Sequence, residues 1–384
     1  MKPTILVPIA GNGSRFPKEE WIVPKPLILI DNKSIIEWSM ECIDYSKSNL
    51  IFVVRREHVD QFSIDDFLRN KFGKNIKVIS IPEATRGSTE TCLYAKNFID
   101  PESPLAIHCS DVFFEPKFII HDFKCNFDGC ILTFKSNSPN YSYSVLDQYG
   151  FVENVVEKSV VSNNASAGIY WFKKSSYFFD AAEKMISSDK KTNGEFYIAP
   201  IYNTLVSDGK KVTVSEVEKM HIFGTPEEYN FFAKNTLRSI TKKRAAICSD
   251  HSGVNAKNIF KKILDKHSIE YIDFGCFNEK DTDYWPYVAS AGKAILEKKC
   301  DFGVGFCRSG QGVNIAANKI KGIRSAWVKD GWMSEMAIRH NCANFLSIAE
   351  KMNDEKSMED ILIGFLSNTF DGGRHQARLM KNEI

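Results

Sequence analysis

Three sets of residues in this chain have types and spacings that could do chemistry. The first is Gly11-Asn12-Gly13-Ser14-Arg15, followed by Lys25 between Pro24 and Pro26. Glycines let a backbone take φ > 0 and approach a ligand closely. Amide groups freed at such a turn face phosphate oxygens, and Arg15 adds a fixed planar charge. Lys25 brings a second cation on a segment stiffened by prolines. The combination suits a triphosphate held for attack at its α-phosphorus. Phe16 stands where a dinucleotide loop would place its third glycine, and the Gly-Lys-Ser/Thr ending of a P-loop is missing. Taken alone, the stretch also reads as an ordinary strand-to-helix turn.

The second set accompanies the first. Arg86-Gly87-Ser88-Thr89-Glu90-Thr91 opens an expected helix and reads as an N-cap or as contacts to a nucleobase and ribose. Asp111 ends an apolar strand, where a carboxylate holds Mg²⁺ together with phosphates, or caps a turn. The third set lies far downstream. It comprises Asp250-His251, Cys307-Arg308-Ser309-Gly310-Gln311-Gly312, Arg339-His340-Asn341 and Gly372-Gly373-Arg374 through Arg378. Amides beside a cysteine lower a thiol pKa and stabilise an enediolate oxygen. Arg374 and Arg378 sit one turn apart if helical and form a two-pronged phosphate clamp. His340 can move a proton to or from a ring oxygen. A base, an anion hole and a clamp together fit aldose–ketose isomerisation of a sugar phosphate. Singly, each residue also reads as a core cysteine, a structural histidine or a solvated arginine.

The elements that must position these residues alternate. Strands are expected at Thr4–Val7, Leu50–Val54, Ile76–Ile81 and Leu105–Cys109, with helices at Ile35–Tyr45, Ile64–Phe72 and Thr89–Phe98. This is βαβ rhythm. From Gly129 to Lys173 the pattern turns β-rich, and Asn193–Tyr197 is expected to open an apolar helix. After a basic stretch, Lys234 to Arg244, the rhythm resumes with strands at Ala245–Cys248, Ile269–Phe274 and Phe302–Phe306. The candidate residues fall at strand ends, where open α/β sheets bind ligands.

Composition excludes several classes. The chain has 384 residues, 43% hydrophobic and 26% charged, enough for two full cores. A net charge of +2 gives no bulk field toward nucleic acid or membrane. No apolar run is long enough to span a bilayer, and the chain enters a strand at once with no signal peptide. The ten cysteines form no C-x-x-C pair, which fits reduced thiols in a cytoplasm.

The stretch from Pro8 to Leu27 resembles the signature of the sugar nucleotidyltransferases, and Gly224-Thr225-Pro226-Glu227 matches that family's closing motif. The resemblance covers about residues 1 to 235. It implies a mixed-sheet nucleotidyltransferase fold, catalytic Arg15 and Lys25, and nucleotide contacts from Ala10, Gly11, Gly13, Gly87, Ser88 and Thr89. It also implies Mg²⁺ on Asp111, with Lys158 and Glu195 toward the sugar phosphate. Ile222 stands where many members carry an aspartate as second metal ligand. One carboxylate suffices if phosphates and waters complete the octahedron.

Asp-His-x-Gly, the Cys-then-Gly loop, Ala-Ala-Asn-Lys, His-Asn-x-Ala-Asn and Gly-Gly-Arg-His-x-x-Arg recur in the order found in ribose-5-phosphate isomerase B and the galactose-6-phosphate isomerase subunits. This resemblance covers about residues 245 to 384. It implies a base at Cys307, a proton relay at Ser309 and ring opening by His340 with Asp250. His251, Arg374 and Arg378 would hold the phosphate, aided by Asn341, with Gly310 and Gly312 as the anion hole. It implies no cofactor for this half, and a site built between two subunits, hence a homodimer. Arg308, Gln311 and the Asp283–Tyr287 segment depart from the usual pattern, so the substrate need not be ribose 5-phosphate.

The expectation is therefore an α/β chain of two Rossmann-like three-layer domains. A GT-A-like mixed-sheet transferase (1–235) and a linker (236–244) precede a doubly wound parallel isomerase (245–384). Expected ligands are an NTP (CTP, UTP or dTTP), Mg²⁺ and sugar phosphates. The competing reading makes the second half a non-catalytic sugar-phosphate sensor or dimerisation module.

Overall fold

The structure, a computed structural model, describes residues 2–18, 21–30, 33–115, 117–120, 127–233, 243–278 and 280–382. The expected linker lies almost wholly outside these. The chain divides into two compact units. The first is Met1–Lys18, Val23–Ile28 and Ser34–Glu228. The second is Glu19–Ile22, Leu29–Lys33 and Tyr229–Ile384. No helix among the described residues is long and apolar enough to cross a membrane.

The first unit is built on a mixed sheet of nine strands. Thr4–Pro8 lies at its centre, parallel to both Leu105–His108 and Asn49–Arg55, with Lys77–Ile81 outside the latter. Four of its five residues are buried, as a central parallel strand covered on both faces requires. The β-rich half adds antiparallel strands. Asn164–Phe172 runs against Leu105–His108 and Gly129–Lys135, while Ser142–Leu146 pairs with Val152–Glu157. One core cluster includes Leu6, Val53, Ile107, Phe172, Phe178 and Tyr202, all nearly inaccessible.

Three local expectations change. The helix expected over Ile35–Tyr45 stops at Met40, and Ile43–Asp44 instead pairs in parallel with Phe118–Ile119. Its start is a capping box. Glu37 N–H donates to Ser34 Oγ at 3.4 Å, and Ser34 N–H donates to Glu37 Oε2 at 2.9 Å. The helix expected over Thr89–Phe98 is Ser88–Leu93 followed by a short turn at Lys96–Phe98. Asn193–Tyr197 opens no helix; the helix begins at Ile201. There Thr192 and Glu195 exchange two backbone hydrogen bonds of 3.0 Å, across Asn193 at φ 49° and Gly194 at φ 82°.

The second unit has a five-stranded, all-parallel sheet. Its order is Glu270–Asp273, Arg244–Ser249, Phe302–Cys307, Phe345–Ala349, Ser325–Val328. Alternate residues face opposite cores. Ala245 and Ile247 pack with Phe260, Ile361 and Phe365, whereas Ala246 and Cys248 pack with Val288, Ala291 and Val313. Helices on both faces make it doubly wound. The strand order reverses between Arg244–Ser249 and Phe302–Cys307, the switch point where such sheets open a crevice.

Candidate active sites

In the first unit, the loop after Thr4–Pro8 and the carboxylate after Leu105–His108 share one sheet edge because their strands are parallel neighbours. Gly13 has φ 60°, and a Cβ there would lie 3.4 Å from Lys25 Cβ. The loop thus packs on the Pro-Lys-Pro segment. Lys25 Nζ lies 2.7 Å from Asp111 Oδ2, with the carboxylate side chain 33% exposed. Burial acts to raise the Asp111 pKa, but Lys25, then Arg15 and His108, outweigh it, and the net direction is downward. His108, fully buried, bonds through Nε2 to Ser39, and desolvation lowers its pKa to about 4, so it stands neutral behind the site.

The closing motif joins this cluster. Phe223 N–H donates to the Asp111 carbonyl at 2.8 Å. A Cβ on Gly224 would meet Glu228 Oε2 at 2.8 Å and Arg15 Nη1 at 3.3 Å, so only glycine leaves room for the guanidinium. Thr225 and Glu228 form a second capping box, with Thr225 N–H donating to Glu228 Oε2 at 2.9 Å. Ile222 pairs with Val112 and brings no carboxylate beside Asp111.

Two further segments meet at Phe196. Its N–H donates to the Arg86 carbonyl at 2.9 Å, and Thr89 N–H donates to its carbonyl at 3.1 Å. A Cβ on Gly87 would stand 2.5 Å from the Phe196 backbone, which explains the glycine. Thr89, expected among the nucleotide contacts, is wholly buried, and its Oγ1 has no hydrogen-bond partner among the described residues. Ala10 is likewise buried, whereas Gly11 is exposed and Ser88 half-buried.

Lys158 lies 5.5 Å from the Tyr197 ring centroid and bonds to the Asn140 carbonyl. Burial, then a hydrogen bond to Glu195, pushes the Tyr197 phenol pKa up against the opposing field of Arg15. Lys158 and Glu195, both expected at the sugar phosphate, each approach Tyr197. The same cluster also includes Glu157, which sequence reasoning passed over. Its side chain is 3% exposed, accepts from Ser142 Oγ, and is pushed up in pKa by burial. A charged residue closing the apolar strand Val152–Glu157 was the available signal.

In the second unit, the loops after Arg244–Ser249 and Phe302–Cys307 interlock at the switch point. Asp250 N–H donates to the Phe306 carbonyl at 3.1 Å, and Arg308 N–H donates to Ser252 Oγ at 3.0 Å. A Cβ on Gly253 would lie 2.5 Å from the Phe306 oxygen. Asp250 caps its turn, its Oδ1 accepting from Gly253 N–H at 2.9 Å and Ser252 Oγ at 2.8 Å. His251 Nδ1 lies 3.1 Å from the Thr282 carbonyl. Cys307 is 4% exposed. Gly310, at φ 73°, starts the helix Gln311–Asn318, and Trp327 Nε1 donates to the Ser309 carbonyl at 3.0 Å. Tyr284, within the altered Asp283–Tyr287 segment, would be 2.7 Å from a Cβ on Gly312.

The remaining isomerase candidates sit elsewhere. The helix Gly331–Asn341 returns antiparallel to the strands, so His340 and Asn341 finish near the start of Phe345–Ala349. Phe345 is level with Gly303, and Ala349 with Cys307. Four steps of roughly 3.3 Å put the two levels roughly 13 Å apart. Within one chain, His340 therefore lies at the other end of the sheet from Asp250 and Cys307. It meets His375, with ring centroids 4.2 Å apart and planes at 3°, and Asp371 Oδ2 at 3.8 Å. Arg374 and Arg378 lie on the helix Gly373–Asn382 with four-residue spacing, as the clamp requires.

Two donor sets bear on metal binding. Asp111 offers one hard carboxylate, which suits Mg²⁺ if phosphates and waters supply the rest. His340, Asp371 and His375 place ligand atoms within 4.8 Å of one another. However, Arg339 Nη2 holds Asp371 at 3.1 Å, and Arg374 Nε lies 3.4 Å from His375 Nε2. Burial, then His340 and Arg374, lowers the His375 pKa, and the guanidinium charges of Arg339 and Arg374 beside these donors disfavour a cation there.

Known proteins match each unit separately. Residues 5–219 match the family described as nucleotidyl transferase, and residues 245–382 the family described as ribose/galactose isomerase. The fold resembles that of a nucleoside-diphosphate-sugar pyrophosphorylase from Vibrio cholerae RC9, at 24% identity and a TM-score of 0.55, covering 60% of this chain and 100% of that one. A Bacillus subtilis (strain 168) protein, YwlF, assigned provisionally as a sugar phosphate isomerase, is 36% identical over 139 residues, 36% of this chain and 93% of its own. Ribose-5-phosphate isomerase B of Escherichia coli (strain K12) is 30% identical over 137 residues, 36% of this chain and 92% of its own. The chain thus belongs to the nucleotidyl transferase family through residues 5–219 and to the ribose/galactose isomerase family through residues 245–382.

Proposed function

We propose that this chain is a bifunctional enzyme of activated-sugar biosynthesis. The first unit transfers a nucleotidyl group from an NTP to a sugar phosphate, and the second interconverts an aldose and a ketose phosphate. The observation that carries the first reaction is the cluster of Arg15, Lys25 and Asp111 on one sheet edge, with Lys25 2.7 Å from the carboxylate. In that reaction a sugar-phosphate oxygen attacks the α-phosphorus, the Pα–O–Pβ bond breaks, and pyrophosphate leaves. Arg15 and Lys25 position and neutralise the phosphates. Asp111 would hold Mg²⁺, which supplies Lewis-acid stabilisation of phosphate charge when bound.

In the second unit, Cys307 takes a proton from one carbon and returns it to its neighbour. Ser309 relays a proton between the two substrate oxygens, and the amides near Gly310 and Gly312 hold the enediolate. His340 lies toward the opposite end of the strands from Cys307, with His375 of the helix that carries Arg374 and Arg378 stacked on it, so a complete set needs a second copy of the chain. Mixed dimers test this. Cys307→Ala and His340→Ala homodimers each lose isomerisation. Unfolded together in equal amounts and refolded, they should recover about a quarter of wild-type activity, because about half of the dimers are mixed and one of the two sites in each has both residues intact. No recovery in dimers that form normally would sink the shared site.

The two reactions join most simply if the transferase accepts the terminal phosphate that the isomerase handles, which would favour CTP; otherwise a mutase must act between them. Pyrophosphate release over four NTPs and a panel of sugar 1-phosphates and pentose 5-phosphates decides this. Release with no pair would remove the transferase assignment.

A further inference from the structure

The loop Gly11–Arg15 has little to hold it. Its one internal backbone bond is Phe16 N–H to the Gly13 carbonyl, at 2.9 Å. Asn12 is exposed, yet its side-chain oxygen accepts from Arg55 Nη1 at 2.5 Å. Arg55 ends the strand Asn49–Arg55, the parallel neighbour of Thr4–Pro8. Its side chain is only 9% exposed, Nη2 is 2.5 Å from Glu57 Oε2, and Nε is buried with no hydrogen-bond partner among the described residues. An arginine is seldom buried without a task, because its desolvation must be offset. Here Glu57 compensates the charge and the free fork of the guanidinium is spent on a loop asparagine. This is also the one side-chain hydrogen bond found between Gly11–Arg15 and the rest of the described residues.

We propose that Arg55 is a positioning residue for nucleotidyl transfer, holding the Asn12 carboxamide so that the Gly11–Ser14 amides stay set for the triphosphate. The inference rests on the transferase reading above. Arg55 touches the loop and not the reacting atoms. A misplacement of about 1 Å at such a loop costs on the order of a hundredfold in rate, and the lysine replacement retains one donor for Asn12.

The test compares wild type, Arg55→Met, Arg55→Lys, Asn12→Ala and the Arg55→Met/Asn12→Ala double variant. Arg55→Met and Asn12→Ala should each raise KM for the NTP roughly tenfold or more and leave KM for the sugar phosphate unchanged. The double variant should be no worse than the worse single one, and Arg55→Lys should recover most of the loss. Additive losses, or equal changes in both KM values, would overturn the proposal. Hydrogen exchange of the peptide spanning Pro8–Phe16 is the second readout, and it needs no activity. It should speed up in Arg55→Met and Asn12→Ala; unchanged exchange also overturns the proposal. A wild type that releases no pyrophosphate, yet shows the exchange difference, would remove the transferase reading and leave Arg55 as a loop staple without that role.

Discussion

Cys307→Ala should abolish isomerisation of every sugar phosphate the wild type accepts, by at least about a thousandfold, while the protein stays folded and its melting temperature falls by only a few degrees. The size follows from role and place. A positioned acid–base group contributes about 10² to 10⁴ in rate. Cys307 is 4% exposed and sits where the sheet order reverses. Asp250, after the neighbouring strand, is committed to its own turn through Gly253 N–H and Ser252 Oγ. Removing one buried sulfur costs about 1 kcal/mol, a few degrees of melting temperature for a unit of this size. The measurement is aldose–ketose interconversion followed by NMR or a coupled assay, with sugar-phosphate binding measured in parallel. If binding survives and turnover vanishes, the thiol is the base. If the wild type binds sugar phosphates but never interconverts them, and Cys307→Ala changes nothing, the second unit is a sensor.

Lys25→Met lowers pyrophosphate release by roughly a hundredfold or more and moves the acid limb of its pH profile upward. The first effect is the loss of a cation from a phosphate site, where one preorganised donor is worth about 10² to 10³ in rate. The second is a matter of sign. Burial pushes the Asp111 carboxyl up, and Lys25 is the largest influence holding it down. Without Lys25 that carboxyl is protonated over a higher pH range, so a reaction that needs the carboxylate fails at a higher pH than in wild type. The same linkage touches stability. A carboxyl held down by a partner contributes stability above its unfolded pKa and loses it as pH falls through the folded value. The acid-side stability of the first unit should therefore also change in Lys25→Met. Profiles of kcat/KM against pH for both proteins check the shift. An unmoved acid limb with the rate loss intact would mean that Asp111 is not required ionised. A loss below about threefold would exclude Lys25 from the chemistry.

Much of this was readable along the chain, because local chemistry is written locally. Gly13 next to Arg15, the Pro-Lys-Pro segment and the Asp-His and Cys-Gly loops sit at strand ends that apolar runs mark plainly. Arg374 and Arg378 need only a helix to become a clamp, and they have one. The helix start at Ile35 was legible from the apolar spacing, though its end at Met40 was not. Ile43–Asp44 leaves the helical pattern because Phe118–Ile119 offers it a strand partner more than seventy residues away.

What only tertiary structure decided has one physical reason throughout: distance in sequence carries no information on which strand end a residue reaches. Phe196 closes on Arg86 and Gly87 through backbone bonds that no motif announces. Thr89, a hydroxyl in a promising motif, is wholly buried. Arg55, an unremarked strand-end cation, becomes the anchor of the Gly-rich loop because its strand is the parallel neighbour of the one before that loop. The isomerase residues show it best. Spacing along the chain does not say which end of the sheet each reaches, and a helix that follows a parallel strand must run back. His340, at the end of Gly331–Asn341, is thereby carried to the far edge of the sheet from Cys307. Residue types and spacings determined which chemistries the chain could hold; the direction of each returning helix decided which groups one copy of the chain can bring together.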